Sequence, residues 1–387
     1  MRVRVSSIVL AILLLFSGCI SNPPPDLDKD GIPDLEDYDI DGDGWSNSLE
    51  ENCSTDTEDS EEVPSDLDKD SICDLLDEDD DGDAWKDEDE NACESDPLDS
   101  ISFPGDLDED KICDVLDVDA DGDGLPNYWE IERGIDHMDP SDKISCHGNT
   151  VYCLRAYDNF TFAETHNAYS TVEDNFLIGI NHYTGLQRQW DGGIRAFMVD
   201  SHHRNYENTS DEDVRFCHST GEFFHPCQYG EVDAFEWLRK LNSLMNNTSG
   251  DVVTLLIENY VPAEHLSFLF NETGMNERIY THTLGQPWPS IGDMVLDGTD
   301  LVVFWEQSQD EGFPWLHDFG VFGWTTNYAE NSKEEMTCSV YRGDGSQPVW
   351  HLNNWLSSAY GLPDPVAARD VNDYETLLNR TLECWKK

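Results

Sequence analysis

The chain has 387 residues, and its 82 Asp and Glu against 22 Lys and Arg give a formal net charge of -60. That balance excludes nucleic acid as a partner, because a polyanion is repelled along the whole chain, and it makes cations the natural ligands. The length allows two or three domains, and the charge is uneven: residues 26–142 hold 47 of the acidic residues and five of the basic ones.

Arg2 and Arg4 give a positive start, and Ile8 to Phe16 form an apolar run too short to span a bilayer. Small residues then precede a cysteine in Leu15-Phe16-Ser17-Gly18-Cys19, the pattern of a lipoprotein processing site. Residues 1–19 are therefore expected to be an export signal with Cys19 lipidated, giving a membrane anchor; an ordinary cleaved signal peptide is the competing expectation. Residues 20–25 read as a short Pro-rich tether.

An internal repeat comes next. Asp26-Leu27-Asp28-Lys29-Asp30 recurs at Asp66 and, with Glu109 in place of the lysine, at Asp106, a period of 40 residues. Within the first unit Asp39, Asp41, Asp43, Gly44, Asn47 and Glu50 stand at positions 1, 3, 5, 6, 9 and 12 of a calcium-type loop. The third unit matches it with Asp119, Asp121, Asp123, Gly124, Asn127 and Glu130. The second has Asp79, Asp81, Asp83, Asp87 and Glu90, with Ala84 in place of the glycine. Leading half-loops such as Asp26, Asp28, Asp30, Asp34 and Asp37 use the same alternation. Calcium takes six to eight oxygens, and alternate carboxylates place several around one point. Residues 26–143 are thus expected to hold Ca2+ and to be largely unfolded without it; a disordered acidic linker is the alternative.

From about Ile144 the texture changes to dense aromatics and mixed polar residues. A buried strand is expected to end at Thr165-His166-Asn167, and segments Ile194 to His203, Val214 to His218 and Val252 to Asn259 repeat the pattern of an apolar run ending in polar residues. Phe176 to Asp191 reads as mainly helical, Val232 to Asn246 as a helix packed outside, Asp300 to Trp305 as a fifth strand and Asp370 to Trp385 as a closing helix. Leu266 to Phe270 and Met275 to Thr283 are ambiguous, and the aromatic-rich stretch from Phe313 to Tyr328 has no clear period. Alternating strands and helices over about 244 residues fit an α/β fold, a TIM-type parallel barrel spanning 144–387. Polar groups at several strand ends would then meet at one mouth.

Of the 11 cysteines, ten remain once Cys19 is set aside, and they fall in sequential pairs: Cys53 with Cys73, Cys93 with Cys113, Cys146 with Cys153, Cys217 with Cys227 and Cys338 with Cys384. An oxidising compartment is the expected setting. Sequons at Asn159, Asn208, Asn246, Asn271 and Asn379 would allow glycosylation there.

Two histidines amid hard oxygen donors suit attack on a phosphodiester: one His removes a proton from a hydroxyl nucleophile and the other protonates the leaving oxygen. A divalent cation held by oxygens would offset phosphoryl charge, and Asn167, Asp200 and Glu258 are donors of that kind. Arg188 and Arg215 are candidate phosphate contacts, and Arg195 reads as structural.

The acidic region resembles the thrombospondin type 3 repeat, whose disulfide spacing Cys53/Cys73 and Cys93/Cys113 fit. That implies a calcium-stiffened stalk, with a calcium store or adhesive surface as other roles. Thr165-His166-Asn167-Ala168-Tyr169, Gly193-Ile194-Arg195 through Asp200, Phe216-Cys217-His218 and Leu256-Ile257-Glu258-Asn259 resemble the catalytic domain of phosphatidylinositol-specific phospholipase C. Later stretches, among them Phe313-Pro314-Trp315-Leu316-His317-Asp318, resemble its secreted, single-domain branch. The resemblance implies His166 and His218 as the catalytic pair, Asn167, Asp200 and Glu258 as calcium ligands, and a phospholipid substrate cleaved by its own inositol hydroxyl. Calcium-dependent members carry a Glu two residues before the strand-end Asp, where this chain has Met198; calcium-independent bacterial members have an Arg where Asp200 stands. Competing expectations are a glycerophosphodiesterase-like hydrolase and a non-catalytic, calcium-dependent surface adhesion protein.

Overall fold

A computed structural model describes residues 23–177, 179–205, 209–218, 225–308, 310–328, 330–356 and 365–386. Cys19 and the sequon at Asn208 lie outside the described residues. The chain divides into two compact units, one reaching to Gly122 and including Pro126–Tyr128, the other formed by Asp123–Leu125 and Trp129–Lys387.

In the first unit the aspartates build the backbone themselves. Many carboxylates accept from the amide two residues on: Asp28 from Asp30 at 3.0 Å, Asp30 from Ile32 at 2.7 Å, Asp41 from Asp43 at 3.2 Å and Asp43 from Trp45 at 2.7 Å. Such Asx turns replace regular secondary structure. The exceptions are short helices of seven residues each, α1 (Asn47–Cys53) and α2 (Asp87–Cys93), which end on Ser54 and Glu94 in the left-handed conformation. The half-loop packs on the full loop at a glycine: a Cβ on Gly42 would meet Asp28 at 2.9 Å, and the same contact recurs between Gly82 and Asp68 and between Gly122 and Asp108. A third helix, α3 (Asn127–Arg133), crosses the division between units.

The second unit is α/β. In chain order it contains β1 (Glu164–Thr165), α4 (Leu186–Asp191), β2 (Ala196–His203), β3 (Val214–Phe216), β4 (Val232–Asp233), α5 (Ala234–Asn246), β5 (Val253–Asn259), α6 (Ala263–Glu272), α7 (Ile291–Leu296) and β6 (Leu301–Trp305). These are followed by β7 (His317–Asp318), α8 (Phe319–Phe322), β8 (Gly323–Thr326), β9 (Val340–Arg342), β10 (Val349–His351), α9 (Pro365–Val371) and α10 (Tyr374–Trp385). The larger sheet runs β4-β3-β2-β5-β6-β7, with β1 against the start of β2; a second sheet runs β10-β8-β9. Strands β1, β2, β5, β6 and β7 are parallel, whereas β3 and β4 are antiparallel. Among the described residues no ladder closes into a ring.

All eight residues of β2 are buried, as a central parallel strand requires. Its residues alternate between two cores. Phe197 and Val199 pack with Leu255, Ile257 and the Trp237, Leu238 and Leu241 face of α5. Met198 packs on the other side with Leu256, Val302, Phe304 and Trp288. This second core draws on residues before 144: Leu125 is fully buried and Trp129 is 5% exposed, both against Cys146, Cys153, Tyr157 and Ile291. Gly292 is required there, since a Cβ would lie 2.7 Å from the Trp129 ring and 2.9 Å from the Cys153 carbonyl.

Several elements differ from the sequence expectation. Only Leu186–Asp191 of the 176–191 segment is helical, because Asn175 and Gly179 hold left-handed conformations and Thr171 and Asp174 bond each other in a turn. The ambiguous stretch at Leu266 is part of α6, and Met275 to Thr283 holds only a single 3-10 turn, Asn276–Arg278. Strand β3 runs against β2 rather than with it, since the ten residues between them are too few for a parallel crossover. The five cysteine pairs all form disulfides as sequence order suggests.

Candidate active site

Strand register creates the site. Asp200 on β2 lies directly opposite Glu258 on β5, on the face that Met198 and Leu256 share. Ile257 pairs with Trp305 at the end of β6, and the next amide, of Glu306, donates to the Ile257 carbonyl at 3.1 Å. Asp200, Glu258 and Glu306 thus form a row across three parallel strands, with neighbours about 4.8 Å apart along the backbone.

His218 reaches this row on the returning hairpin. The Cys217 amide donates to the Asp200 carbonyl at 3.2 Å, and the next residue, His218, gives its Nδ1–H to Asp200 Oδ2 at 2.5 Å. Cys217 is anchored by its bond to Cys227. Burial alone would lower the His218 pKa, but the Asp200 bond and charge, aided by Glu258, raise it. Burial raises the Asp200 pKa against the pull of His218. With Nδ1 committed, Nε2 is the exchanging atom, and 38% exposure of the side chain leaves it reachable.

His166 comes directly after β1. The Asn181 amide donates to His166 Nδ1 at 2.7 Å and to the His166 carbonyl at 3.2 Å, which fixes the amide orientation and puts the ring proton on Nε2. His182 Nε2 donates to the same carbonyl at 2.8 Å, and Trp355 stacks on the ring with centroids 5.2 Å apart. Burial, with His218, His351 and His182 nearby, pushes the His166 pKa down to about 3. This imidazole is a neutral hydrogen-bond donor across the working range of pH.

Asn167 is 1% exposed and sits at φ 49°, a left-handed conformation that Asn tolerates better than most residues. Its Oδ1 is 3.5 Å from the Tyr169 hydroxyl. Asp200 Oδ1 is buried and accepts no well-formed hydrogen bond among the described residues. Glu258 accepts from the Tyr260 hydroxyl, and Tyr260 stacks on His202 at 4.3 Å. An orphaned carboxylate oxygen, an amide oxygen and a second carboxylate suit a hard divalent cation. Met198 contributes only a buried thioether side chain.

The two arginines proposed from sequence are engaged elsewhere. Arg188 pairs with Glu173 at 3.4 Å, and Arg215 with Asp213 at 3.6 Å and Asp233 at 3.2 Å. Arg195 bonds Asp251 at 2.7 Å beneath the start of β2. The cation beside Glu258 is Arg342 of β9, which pairs with Glu306 and lies 5.6 Å from the Tyr328 ring centroid. Tyr260 was legible in sequence, two residues from Glu258 on one strand face; Asn181, Glu306, Arg342 and Trp355 carried no pattern. A cavity of about 670 Å³ opens on the far side of His166, lined by Phe162, Leu256, Phe304, Trp350 and Trp355 and holding the Glu164–His351 pair at 3.0 Å. Asp200, His218 and Glu258 do not line it, so it adjoins the site rather than containing it.

The repeat residues also converge. Asp39, Asp41 and Asp43 bring ligand oxygens within 4.8 Å of one another, as do Asp79, Asp81 and Asp83. Glu50 is fully buried with both carboxylate oxygens unbonded, and Glu90 is fully buried with Oε2 unbonded. Burial and the charges of Asp41, Asp43 and Asp39 push Glu50 up to about 7. Orphaned carboxylates facing like charges fit a bound calcium ion. At the ninth loop positions Asn47, Asp87 and Asn127 accept from the amides of Ile40, Asp80 and Ala120 at 2.9, 3.0 and 2.9 Å, which braces the loop. Glu130 is fully buried in the second unit.

The sequence model of the PI-PLC X family, described as PI-PLC X 1, matches residues 152–384, and the chain belongs to that family. It is 28% identical over 160 residues to a PI-PLC X domain-containing protein of Arabidopsis thaliana, a match covering 38% of this chain and 36% of that protein. It is 25% identical over 255 residues to PI-PLC X domain-containing protein 1 of Arthroderma benhamiae, covering 62% of this chain and 78% of the relative.

Proposed function

We propose that the chain is an exported phosphoric diester hydrolase that cleaves phosphatidylinositol-like lipids. The observation that carries this reading is the His218–Asp200 pair facing Glu258, with His166 presenting a neutral Nε2–H nearby. His218 Nε2 takes the proton of an attacking hydroxyl, and Asp200 stabilises the imidazolium through Nδ1. The hydroxyl oxygen bonds to phosphorus, the ester oxygen of the diacylglycerol leaves, and the proton ends on that oxygen. His166 Nε2–H donates to the phosphoryl group as charge develops there. Asn167 Oδ1, Asp200 Oδ1 and Glu258 would hold a divalent cation, whose chemistry is neutralisation of phosphoryl charge and acidification of the hydroxyl.

The fold that carries the site is a TIM-type barrel in this proposal, supported by the parallel core of the sheet and by the Glu164–His351 pair joining β1 to β10. Residues 26–143 act as a calcium-bound stalk of thrombospondin type 3 character, with Cys19 as a lipid anchor outside the cell. The five disulfides agree with an oxidising compartment, and no helix among the described residues is long and apolar enough to cross a membrane.

The test is turnover of phosphatidylinositol vesicles with product identification, with and without chelator. A cyclic inositol phosphate is expected as the first product. Unchanged turnover in both His166→Ala and His218→Ala would end the proposal, and glycerol-phosphate products without a cyclic ester would replace it with a glycerophosphodiesterase.

A further inference from the structure

The catalytic row has a hollow beneath it. Along β5 the side chains of Thr254, Leu256 and Glu258 share one face of the sheet, and Ala196, Met198 and Asp200 share it on β2. Thr254, Leu256 and Ala196 line the cavity of about 670 Å³; Glu258 and Asp200, further along the same strands, do not. Among the described residues no ladder pairs β1 with β10, and the Glu164–His351 pair bridges them at 3.0 Å. Residues of both strands line the cavity. Protein interiors hold few voids larger than a water molecule, and this volume falls within the ~300–1,000 Å³ of small-ligand sites. The polar side chains in its wall are turned to partners: Glu164 to His351, Tyr157 to Thr254 at 2.7 Å and Thr165 to Gln189 at 2.8 Å. What is left for a ligand is chiefly the apolar surface of Phe162, Leu256, Phe304, Trp350 and Trp355. Such a lining takes an alkyl body in preference to a sugar or an anion.

The cavity and the catalytic site share His166. Its ring lines the cavity, stacks on Trp355 and keeps its proton on Nε2, with Nδ1 held by Asn181. Ile180, which also lines the cavity, is exposed at the surface. We propose that this cavity takes one acyl chain of the lipid substrate, so that the site selects a diester by its apolar tail as well as by its phosphate. The proposal rests on the reading of the row as a phosphodiesterase site. A phosphate bonded to His166 holds the glycerol of the leaving group only a few bonds from the cavity wall, and one chain turns in beside the imidazole. Trp355 Nε1 is buried with no acceptor among the described residues, which leaves it for the ester carbonyl at the head of that chain. Each methylene then adds its own transfer free energy to binding. Because the chain does not react, it steadies ground state and transition state alike, and its effect falls on KM rather than kcat.

The test uses the full-length protein with calcium in excess and three substrates dissolved below micelle formation: glycerophosphoinositol, dibutyroyl-phosphatidylinositol and dihexanoyl-phosphatidylinositol. From the dibutyroyl to the dihexanoyl lipid, kcat/KM is expected to rise ~10-fold, mainly through KM. Ala368→Trp on α9 and Val349→Trp on β10 each place an indole where the cavity now is. Either is expected to flatten the rise to within ~2-fold and to leave kcat/KM for the chainless glycerophosphoinositol unchanged. Binding of cis-parinaric acid, a fluorescent fatty chain, is expected to weaken at least ~10-fold in the same variants. Melting curves check that they fold, and the wild-type chain-length series stands as a test without them. A wild-type series flat in chain length, or a rise that both folded variants leave steep, overturns the proposal while leaving the phosphodiesterase reading intact. Parinaric acid bound without a chain-length effect on turnover gives the cavity to free fatty acid and overturns it as well. Failure to turn over any of the three substrates removes both readings.

Discussion

The two units of this chain solve the same electrostatic problem, several carboxylates in one small volume, by opposite means. In the repeats the charges come from within twelve residues, as with Asp39, Asp41, Asp43 and Glu50, and Asx turns hold them together. In the second unit His166, Asp200, His218, Glu258 and Glu306 come from a span of more than a hundred residues, and sheet register assembles them. There the charges are offset by protein groups, His218 for Asp200 and Arg342 for Glu306. In the repeats Glu50 has no such partner among the described residues, and its oxygens are buried and unbonded. We therefore expect the locally built sites to depend on an ion for their fold, and the topologically built site to depend on a hydrophobic core and keep its shape without one.

The largest expected effect separates these cases outright. Chelating calcium should expose residues 26–122 to proteolysis and abolish their structure, while the melting transition of the second unit persists; limited digestion followed by mass spectrometry reads both. Loss of the second unit in parallel would erase the distinction. Next comes Asp200→Asn, which should cut kcat by ~10³–10⁴-fold. Because Asp200 raises the pKa of His218, its removal lowers that pKa, so the corresponding limb of the pH–rate profile should move to lower pH. His166 adds no limb near neutrality, its pKa lying at about 3. The hydrophobic side of the comparison is sharpened by Leu125→Ala, which should cost the second unit about 3 kcal/mol in denaturant unfolding, since Leu125 is fully buried in its core.

Smaller effects fall on the repeats. Glu50 sits at about 7 in the ion-free loop, so calcium binding should release about half a proton per first loop at pH 7, seen as a buffer-dependent calorimetric enthalpy. The sign comes from a raised pKa: the contribution of Glu50 to ion-free stability is present below its ordinary 4.5 and is lost as pH rises through about 7. Calcium affinity should climb over the same interval. The smallest effect is Ala84→Gly. Ala84 has φ 78°, where its relatives Gly44 and Gly124 have 103° and 97°, so the change should stabilise the second loop by about 0.5–1 kcal/mol in a calcium melt.

The sequence spoke plainly where spacing alone determines geometry. Alternate aspartates make turns whatever surrounds them, and the apolar runs of β2, β5 and β6 are strands because nothing else would bury both faces. It spoke poorly where a partner comes from far away. Nothing near Arg342 announces that it meets Glu306, and nothing near His166 announces that Asn181 and Trp355 hold its ring. Asn47 shows the middle case: its position in the loop is plain from spacing, but that its side chain accepts from the Ile40 amide is not.

Trp129 bears on how such a chain can change. Its counterparts one and two periods earlier are Asp89 and Leu49, and neither belongs to the core that Trp129 and Leu125 help to fill. Residues 26–105 contribute no side chain to either core of the α/β unit, so duplication or deletion of the first two repeats is expected to leave its melting transition unchanged. Leu125 and Trp129 belong to the second unit and its core, so any lengthening or shortening of this array by recombination must leave those two residues in place.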